Sequence, residues 1–138
     1  MTEAEPERWK HRFDAYRRAL KQLNAGIAAY HERELTELER GGLVQAFEFT
    51  AELGWKLLAD VLDAQGLVVS PRVPVNVIRA AFEAELIRDG DGWMAAIKLR
   101  NKLSHVYSEA IVLAAVPEIV DKFGAVLAEA ERDIARLA

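Results

Sequence analysis

Apolar residues recur along this chain at intervals of three and four positions, and rarely at every second position. The first such stripe comprises Trp9, Phe13, Tyr16, Leu20, Leu23, Ile27 and Tyr30. This spacing places apolar side chains on one face of an α-helix that packs against a core. Because no segment alternates between apolar and polar residues over a useful length, the pattern predicts an all-α protein.

A second helix is predicted over 43–65. Gly41-Gly42 precedes it, and Thr36 and Glu39 have the spacing of a capping box just before that glycine pair. Apolar residues occupy two sides of this segment, which indicates a helix buried between neighbours. Gly66 is expected to end the helix.

Prolines and glycines divide the remainder of the chain. We expect a short helix over 75–87, a turn at 89–92 with the sequence Asp-Gly-Asp-Gly, and a further helix over 93–107. The last apolar stripe begins near Ser108 and contains Pro117. Either one helix kinks at that proline, or a new helix begins with Pro117 at its first position.

These elements amount to four long helices and one short helix in a chain of 138 residues. Short connections favour antiparallel neighbours. We therefore expect a single domain, 1–138, folded as an antiparallel up-and-down four-helix bundle with an additional short helix.

The composition restricts the classes of function. A net charge of −4 argues against a dedicated, high-affinity nucleic-acid binder, and the absence of cysteine excludes disulfides and thiolate chemistry. Uninterrupted apolar runs, such as 111–116, are far shorter than the ~20 residues of a membrane helix. The N-terminal residues are acidic and do not resemble a signal peptide. We expect a cytoplasmic location and no membrane association.

Charge is distributed unevenly along the chain. Six Lys or Arg and one acid lie within 8–21, whereas six acids and three bases lie within 108–138. Two interpretations remain open at this point. The charges are either two solvated helix faces or a basic rim that steers a polyanion towards one side of the protein.

The helix predicted over 93–107 carries the side chains of greatest chemical interest. At about 100° per residue, its core face comprises Ala96, Leu99, Leu103 and Val106. A separate polar arc of roughly 160° comprises Arg100, Asn101, Ser104, His105 and Tyr107. This arc is either an ordinary solvated face or a site that binds and attacks a phosphodiester. Arginine pairs with phosphate through a fork of donors, and histidine transfers protons near neutrality.

A nuclease of this kind requires two proton-transfer groups. When RNA is cleaved by its own 2′-hydroxyl, a base deprotonates that hydroxyl and an acid protonates the leaving oxygen. The polar arc offers one imidazole per chain. A symmetric dimer would bring two copies of His105 and of Arg100 into one cleft, so this function implies a homodimer.

Two carboxylates on the second predicted helix, Glu48 and Glu52, lie one turn apart. They have the spacing of an acid–base or metal-ligating pair, but Lys56 follows one turn later. An exposed, salt-bridged row is therefore the favoured interpretation. No histidine–acid cluster has metal-ligand spacing and no glycine-rich phosphate loop is present, so neither a metal nor a cofactor is predicted.

The order of several motifs resembles a known family. The pattern Arg100-Asn101-x-x-Ser104-His105-x-Tyr107 is similar to the motif of HEPN-domain proteins, and in particular of their nucleotidyltransferase substrate-binding branch. Further matching segments follow the same order in that branch. They are Phe47-Glu48-Phe49-Thr50-x-Glu52-x-x-Trp55-Lys56, Ser70-Pro71-Arg72, Ile78-Arg79-x-Ala81-Phe82, Leu86-Ile87-x-Asp89-Gly90 and Trp93.

The resemblance, which covers roughly residues 9–130, implies a helical bundle that dimerises with the motif at the interface. In toxin members it implies metal-independent RNA cleavage, with Arg100 and His105 catalytic and with Asn101 and Ser104 in support. The resemblance also implies a minimal nucleotidyltransferase that acts as antitoxin and, in some systems, transfers AMP to the motif tyrosine, here Tyr107. The alternative is a non-catalytic, substrate-binding accessory subunit of a partner nucleotidyltransferase.

Overall fold

The computed structural model of the chain describes residues 4–105 and 108–138, with side chains from residue 8 onwards. Within that part of the chain all regular structure is helical. The helices are α1 (Ala4–Glu32), α2 (Glu37–Ala64), α3 (Pro74–Glu83), α4 (Gly90–His105), α5 (Glu109–Glu118) and α6 (Gly124–Ala135), and a π-helical turn (Ile119–Phe123) joins α5 to α6. Since α5, the π turn and α6 are continuous, the prediction of a four-helix bundle with an additional short helix is confirmed.

Helix α2 begins at Glu37, so the prediction that it starts at 43 after a glycine break is wrong. The predicted capping box determines this start. The Thr36 hydroxyl accepts from the Glu39 N–H at 3.1 Å, and the Glu39 carboxylate accepts from the Thr36 N–H at 2.9 Å. With its first turn capped in this way, the helix continues through Gly41-Gly42, where each glycine costs only about 1 kcal/mol.

Helix α3 ends at Glu83 and not at 87. Glu85 adopts a left-handed conformation with φ of 60°, and the Leu86 N–H donates to the Ala81 carbonyl at 2.9 Å. This turn ends the helix and directs Leu86 and Ile87 into the core. The side chain of Asp89 then accepts from the Gly92 N–H at 2.7 Å, so the sequence predicted as a turn forms the start of α4.

The final helix continues through Pro117, which lies inside α5. The alternative in which a new helix begins at Pro117 is therefore wrong. Proline has no N–H to donate to the preceding turn. The π turn follows directly, and its wider bonding pattern includes a hydrogen bond from the Gly124 N–H to the Ile119 carbonyl.

Helices α1, α2 and α4 meet where Trp93 and Tyr16 pack against Gly54. A Cβ atom at residue 54 would lie 2.5 Å from Trp93 Cη2 and 3.0 Å from Tyr16 Cε1, so only glycine fits. The Tyr16 hydroxyl donates to the Leu127 carbonyl at 2.7 Å, which connects the same point to α6. Burial raises the pKa of Tyr16 well above its usual value, so this hydroxyl stays protonated as a donor.

The C-terminal part of α2 carries a buried carboxylate, Asp60. Asp60 accepts from Arg12 of α1 at 2.6 Å and from Arg72 of the α2–α3 connection at 2.5 Å. Arg72 also contacts Asp63 at 2.6 Å. A buried charge is tolerated only when it is paired and hydrogen-bonded, so both arginines must stay beside Asp60. The network therefore holds α1 and the Ser-Pro-Arg segment (70–72) against α2.

Several basic side chains of the stretch 8–21 form ion pairs with other helices. Arg8 lies 3.7 Å from Asp63, and Arg17 lies 3.4 Å from Glu131 of α6. Together with Arg12, these side chains hold α1 against its neighbours, so they are not a uniformly free basic rim. In the described residues, no helix has both the length and the apolar character of a membrane span.

Two glycines of α2 provide a matched test of the packing at residue 54. Gly54→Ala is expected to lower the free energy of unfolding by about 1–3 kcal/mol, because the added methyl overlaps Trp93. Gly42→Ala meets no atom within 4 Å and is expected to raise that free energy by up to about 1 kcal/mol, since alanine favours the helix. Urea denaturation midpoints measure both effects. Shifts in the same direction would contradict the packing described here.

Candidate functional site

The polar arc of α4 faces α2 through two of its side chains. Arg100 Nη2 lies 2.8 Å from Glu52 Oε1, and Arg100 Nη1 donates to Asn101 Oδ1 at 3.1 Å. The single hydroxyl proton of Ser104 is shared between two acceptors, Glu48 Oε2 at 3.3 Å and the Arg100 carbonyl at 3.0 Å from Oγ. The structure thus brings three of the predicted residues together and adds two carboxylates to them.

His105 and Tyr107 are placed differently. The side chain of His105 is exposed at the C-terminal end of α4, and it has no hydrogen bond or ion pair with another described residue. Tyr107 lies outside the described residues, so its predicted role stays a prediction. A spacing of five residues separates Arg100 from His105 by about 140° around the helix and by ~7.5 Å along its axis.

Glu52 is the centre of the contacts around Arg100. Its Oε1 accepts from the Trp55 indole N–H at 3.0 Å and from Arg100, while its Oε2 lies 3.0 Å from Lys56 Nζ. The predicted Glu52–Lys56 salt bridge is confirmed. The row on α2 is not simply solvated, however, because it orients the guanidinium of the motif helix.

The ionisation of Glu52 follows from these contacts. Partial burial raises the pKa of Glu52. Hydrogen bonds from Trp55 and Lys56 and the positive charge of Arg100 lower it, and their combined effect is the larger one. The net pKa lies below its usual value. Glu52 therefore remains a carboxylate at neutral pH. Glu52 accepts from one of the five N–H donors of Arg100, and Asn101 accepts from a second.

A groove of 730 Å³ opens beside these side chains, between α1, α2 and α4. Its principal polar and aromatic side chains are Gln22, Gln45, Glu48, Phe49, Glu52 and Arg100. Phe49 as a residue is 59% exposed. The sequence contained a signal for this groove, because Phe49 is the one aromatic residue of α2 that lies in neither of the apolar stripes that bury the helix.

A family model described as nucleotidyltransferase substrate binding protein like matches residues 11–136. The chain belongs to this family. No curated protein matches the chain.

Family membership confirms the resemblance, and the structure gives its second-helix signature a physical role. Phe47 and Thr50 are buried in the core, whereas Glu52, Trp55 and Lys56 form the contacts around Arg100. The signature on α2 therefore contacts two residues of the motif on α4, Arg100 and Ser104, through Glu52 and Glu48.

The tryptophans and the other two histidines are divided between the core, the contacts around Arg100 and the surface. Trp9 and Trp93 are core residues, and His11 and His31 are exposed. Trp55 is partly buried and donates to Glu52, so it belongs to the site and does not only fill the core. Across residues 8–105 and 108–138, no group of three or more His, Cys, Asp or Glu is placed to hold a metal ion.

The contact between Arg100 and Glu52 can be tested by titration. In Arg100→Gln the pKa of Glu52 is expected to rise, because a positive charge 2.8 Å away is removed. Since the folded pKa lies below the unfolded one, Glu52 adds stability above its unfolded pKa and loses that contribution as the pH falls through its folded pKa. The variant should therefore lose part of this pH dependence.

Carboxyl-detected NMR of Glu52 measures the shift directly. Lys98→Gln is the matched control, because it removes an exposed positive charge from the same helix. An unchanged Glu52 pKa in Arg100→Gln, or an equal rise in both variants, would contradict the described contact.

Proposed function

We propose that this protein is a metal-independent endoribonuclease of the HEPN type, active as a homodimer and paired with a minimal nucleotidyltransferase antitoxin. One observation carries the proposal. The guanidinium of Arg100 lies in an open groove, held by Glu52 and Asn101, on the same helix as an exposed imidazole at His105. Family membership adds support for an association with a nucleotidyltransferase. Both proposed partners, RNA and the antitoxin, would be met in the cytoplasm.

The proposed reaction uses the RNA's own 2′-hydroxyl as nucleophile. One His105 accepts the proton of that hydroxyl as its oxygen attacks the adjacent phosphorus. The 5′-oxygen leaves and takes a proton from the second His105, which yields a 2′,3′-cyclic phosphate and a 5′-hydroxyl end. Arg100 binds the phosphate and stabilises the charge of the transition state, with Asn101 and Ser104 holding the polar arc in place.

Geometry supports two chains per site. Around one helix, Arg100 and His105 point about 140° apart, so one chain presents them to a phosphate from different directions. A two-fold axis beside α4 would place the His105 of each subunit near the Arg100 of the other. The exposure of His105 leaves it accessible to such an arrangement.

A second candidate function is favoured by the description of the family itself. In this alternative the chain is a non-catalytic accessory subunit that binds a partner nucleotidyltransferase and presents a substrate to it. It predicts a stable complex whose nucleotide transfer depends on this chain, with no nuclease activity in either component. For both candidate functions, mass spectrometry after incubation with ATP and the partner tests whether AMP is transferred to Tyr107. An unmodified tyrosine removes the AMP-transfer step and leaves the remaining proposals in place.

The nuclease proposal is tested by incubating the purified protein with structured RNA in the presence of a chelator. The wild type is expected to cut, and His105→Ala should cut at least about 100-fold more slowly because it lacks both proton-transfer groups. His31→Ala is the matched control, since it removes another exposed imidazole. Sedimentation should show a dimer for all three proteins. Equal cutting, or no cutting by any of them, would contradict the proposal.

A further inference from the structure

We propose that the groove between α1, α2 and α4 binds one nucleotide whose base carries an amino group, with the base against Phe49 and its phosphate towards Arg100. This inference rests on the proposed function for its RNA ligand. It adds a base-binding subsite to a phosphate site. The same chemistry would also accommodate a free nucleotide.

The aromatic side chain is the first argument. Phe49 is 59% exposed, although its neighbour Phe47 on the same helix is fully buried. Stacking of a base on an aromatic ring is favourable and tolerates any base. The groove volume of 730 Å³ lies within the range of ligand pockets, so a nucleoside fits beside the ring.

The floor and walls of the groove supply hydrogen-bonding groups. Gln22 of α1 and Gln45 of α2 both line it, and each amide can both donate and accept. Gly42 also lines the groove, and a Cβ atom there would meet nothing within 4 Å, so the groove is open at this position.

Glu48 gives the subsite its preference. One of its carboxylate oxygens is hydrogen-bonded to the Ser104 hydroxyl, and the other is available to the groove. A carboxylate only accepts hydrogen bonds. Cytosine presents an amino group where uracil presents a carbonyl oxygen, so Glu48 favours cytosine over uracil. Adenine and guanine also carry amino groups.

Arg100 is placed to hold the phosphate of the same nucleotide. Two of its N–H groups contact Glu52 and Asn101, which leaves three of its five donors. The charge of Glu52 is balanced by Lys56 at 3.0 Å as well as by Arg100. The groove is lined by two carboxylates, Glu48 and Glu52, and one guanidinium, so an entering phosphate is held by the remaining N–H donors of Arg100 and not by a net positive charge.

The experiment measures binding in the His105→Ala variant, so that cleavage does not interfere. Fluorescence anisotropy compares a short oligocytidylate with an oligouridylate, and calorimetry compares CMP with UMP. In each comparison in which binding is detected, we expect the cytidine ligand to bind at least about fivefold more tightly than the uridine ligand, because of one carboxylate–amino hydrogen bond. Binding of CMP as well as the oligomer identifies a free nucleotide as sufficient, and binding of the oligomer alone identifies RNA as the source.

Variants assign the effect to named side chains. Phe49→Ala should weaken binding of both oligomers by about 5- to 150-fold, the range for loss of one stacked base, and Phe49→Trp should retain it. Glu48→Gln should abolish the preference for cytosine, because an amide can also donate to a carbonyl oxygen. Val68→Ala is the control, since it truncates an apolar side chain that is 76% exposed outside the groove.

Three results would overturn the inference. The first is no discrimination between cytidine and uridine ligands, and the second is unchanged binding in Phe49→Ala. The third is conversion of a dimer to a monomer by Phe49→Ala in sedimentation, which would make the ring a contact between copies. RNA cleavage without base preference would contradict the base-binding subsite but not the proposed nuclease. Selective nucleotide binding without cleavage by the wild type would contradict the nuclease but not the subsite.

Discussion

The contact of Trp93 with Gly54 is the constraint on which the site depends. It fixes how far α4 slides along α2, because an indole ring lies where any other residue would place a Cβ atom. From that point the two helices run in opposite directions. Arg100 then meets Glu52, and Ser104, one turn further along α4, meets Glu48, one turn further back along α2. Core packing thus sets the register of the polar contacts.

The carboxylates of α2 have two consequences for the chemistry we propose. Glu52 orients the Arg100 guanidinium and remains charged at neutral pH, so the arginine is positioned before any ligand enters. Its negative charge also reduces the attraction of the groove for phosphate. Together with a net charge of −4, this favours transient contact with RNA over tight, non-specific binding. Such a balance suits an enzyme that must release its product.

Periodicity in the sequence was sufficient for the fold class and for most of the core, because stripes such as the one from Trp9 to Tyr30 report burial directly. It failed at Gly41-Gly42, where a capping box outweighed the cost of two glycines, and at Leu86, where a left-handed residue ended α3 early. The motif residues were evident from their spacing on one helix. The contact of Arg100 with Glu52 was not, because it depends on the register between two helices that a single sequence does not encode locally.

In the reaction we propose, Arg100 and His105 from two subunits act on one phosphate. Mixed dimers test this arrangement, in which a differently tagged wild-type subunit is paired with a His105→Ala subunit and the mixed species is purified. A shared cleft then lacks either its acid or its base, so cleavage should fall at least about 100-fold below the wild-type dimer. Retention of half the wild-type rate would show that each subunit works alone, and would contradict the account.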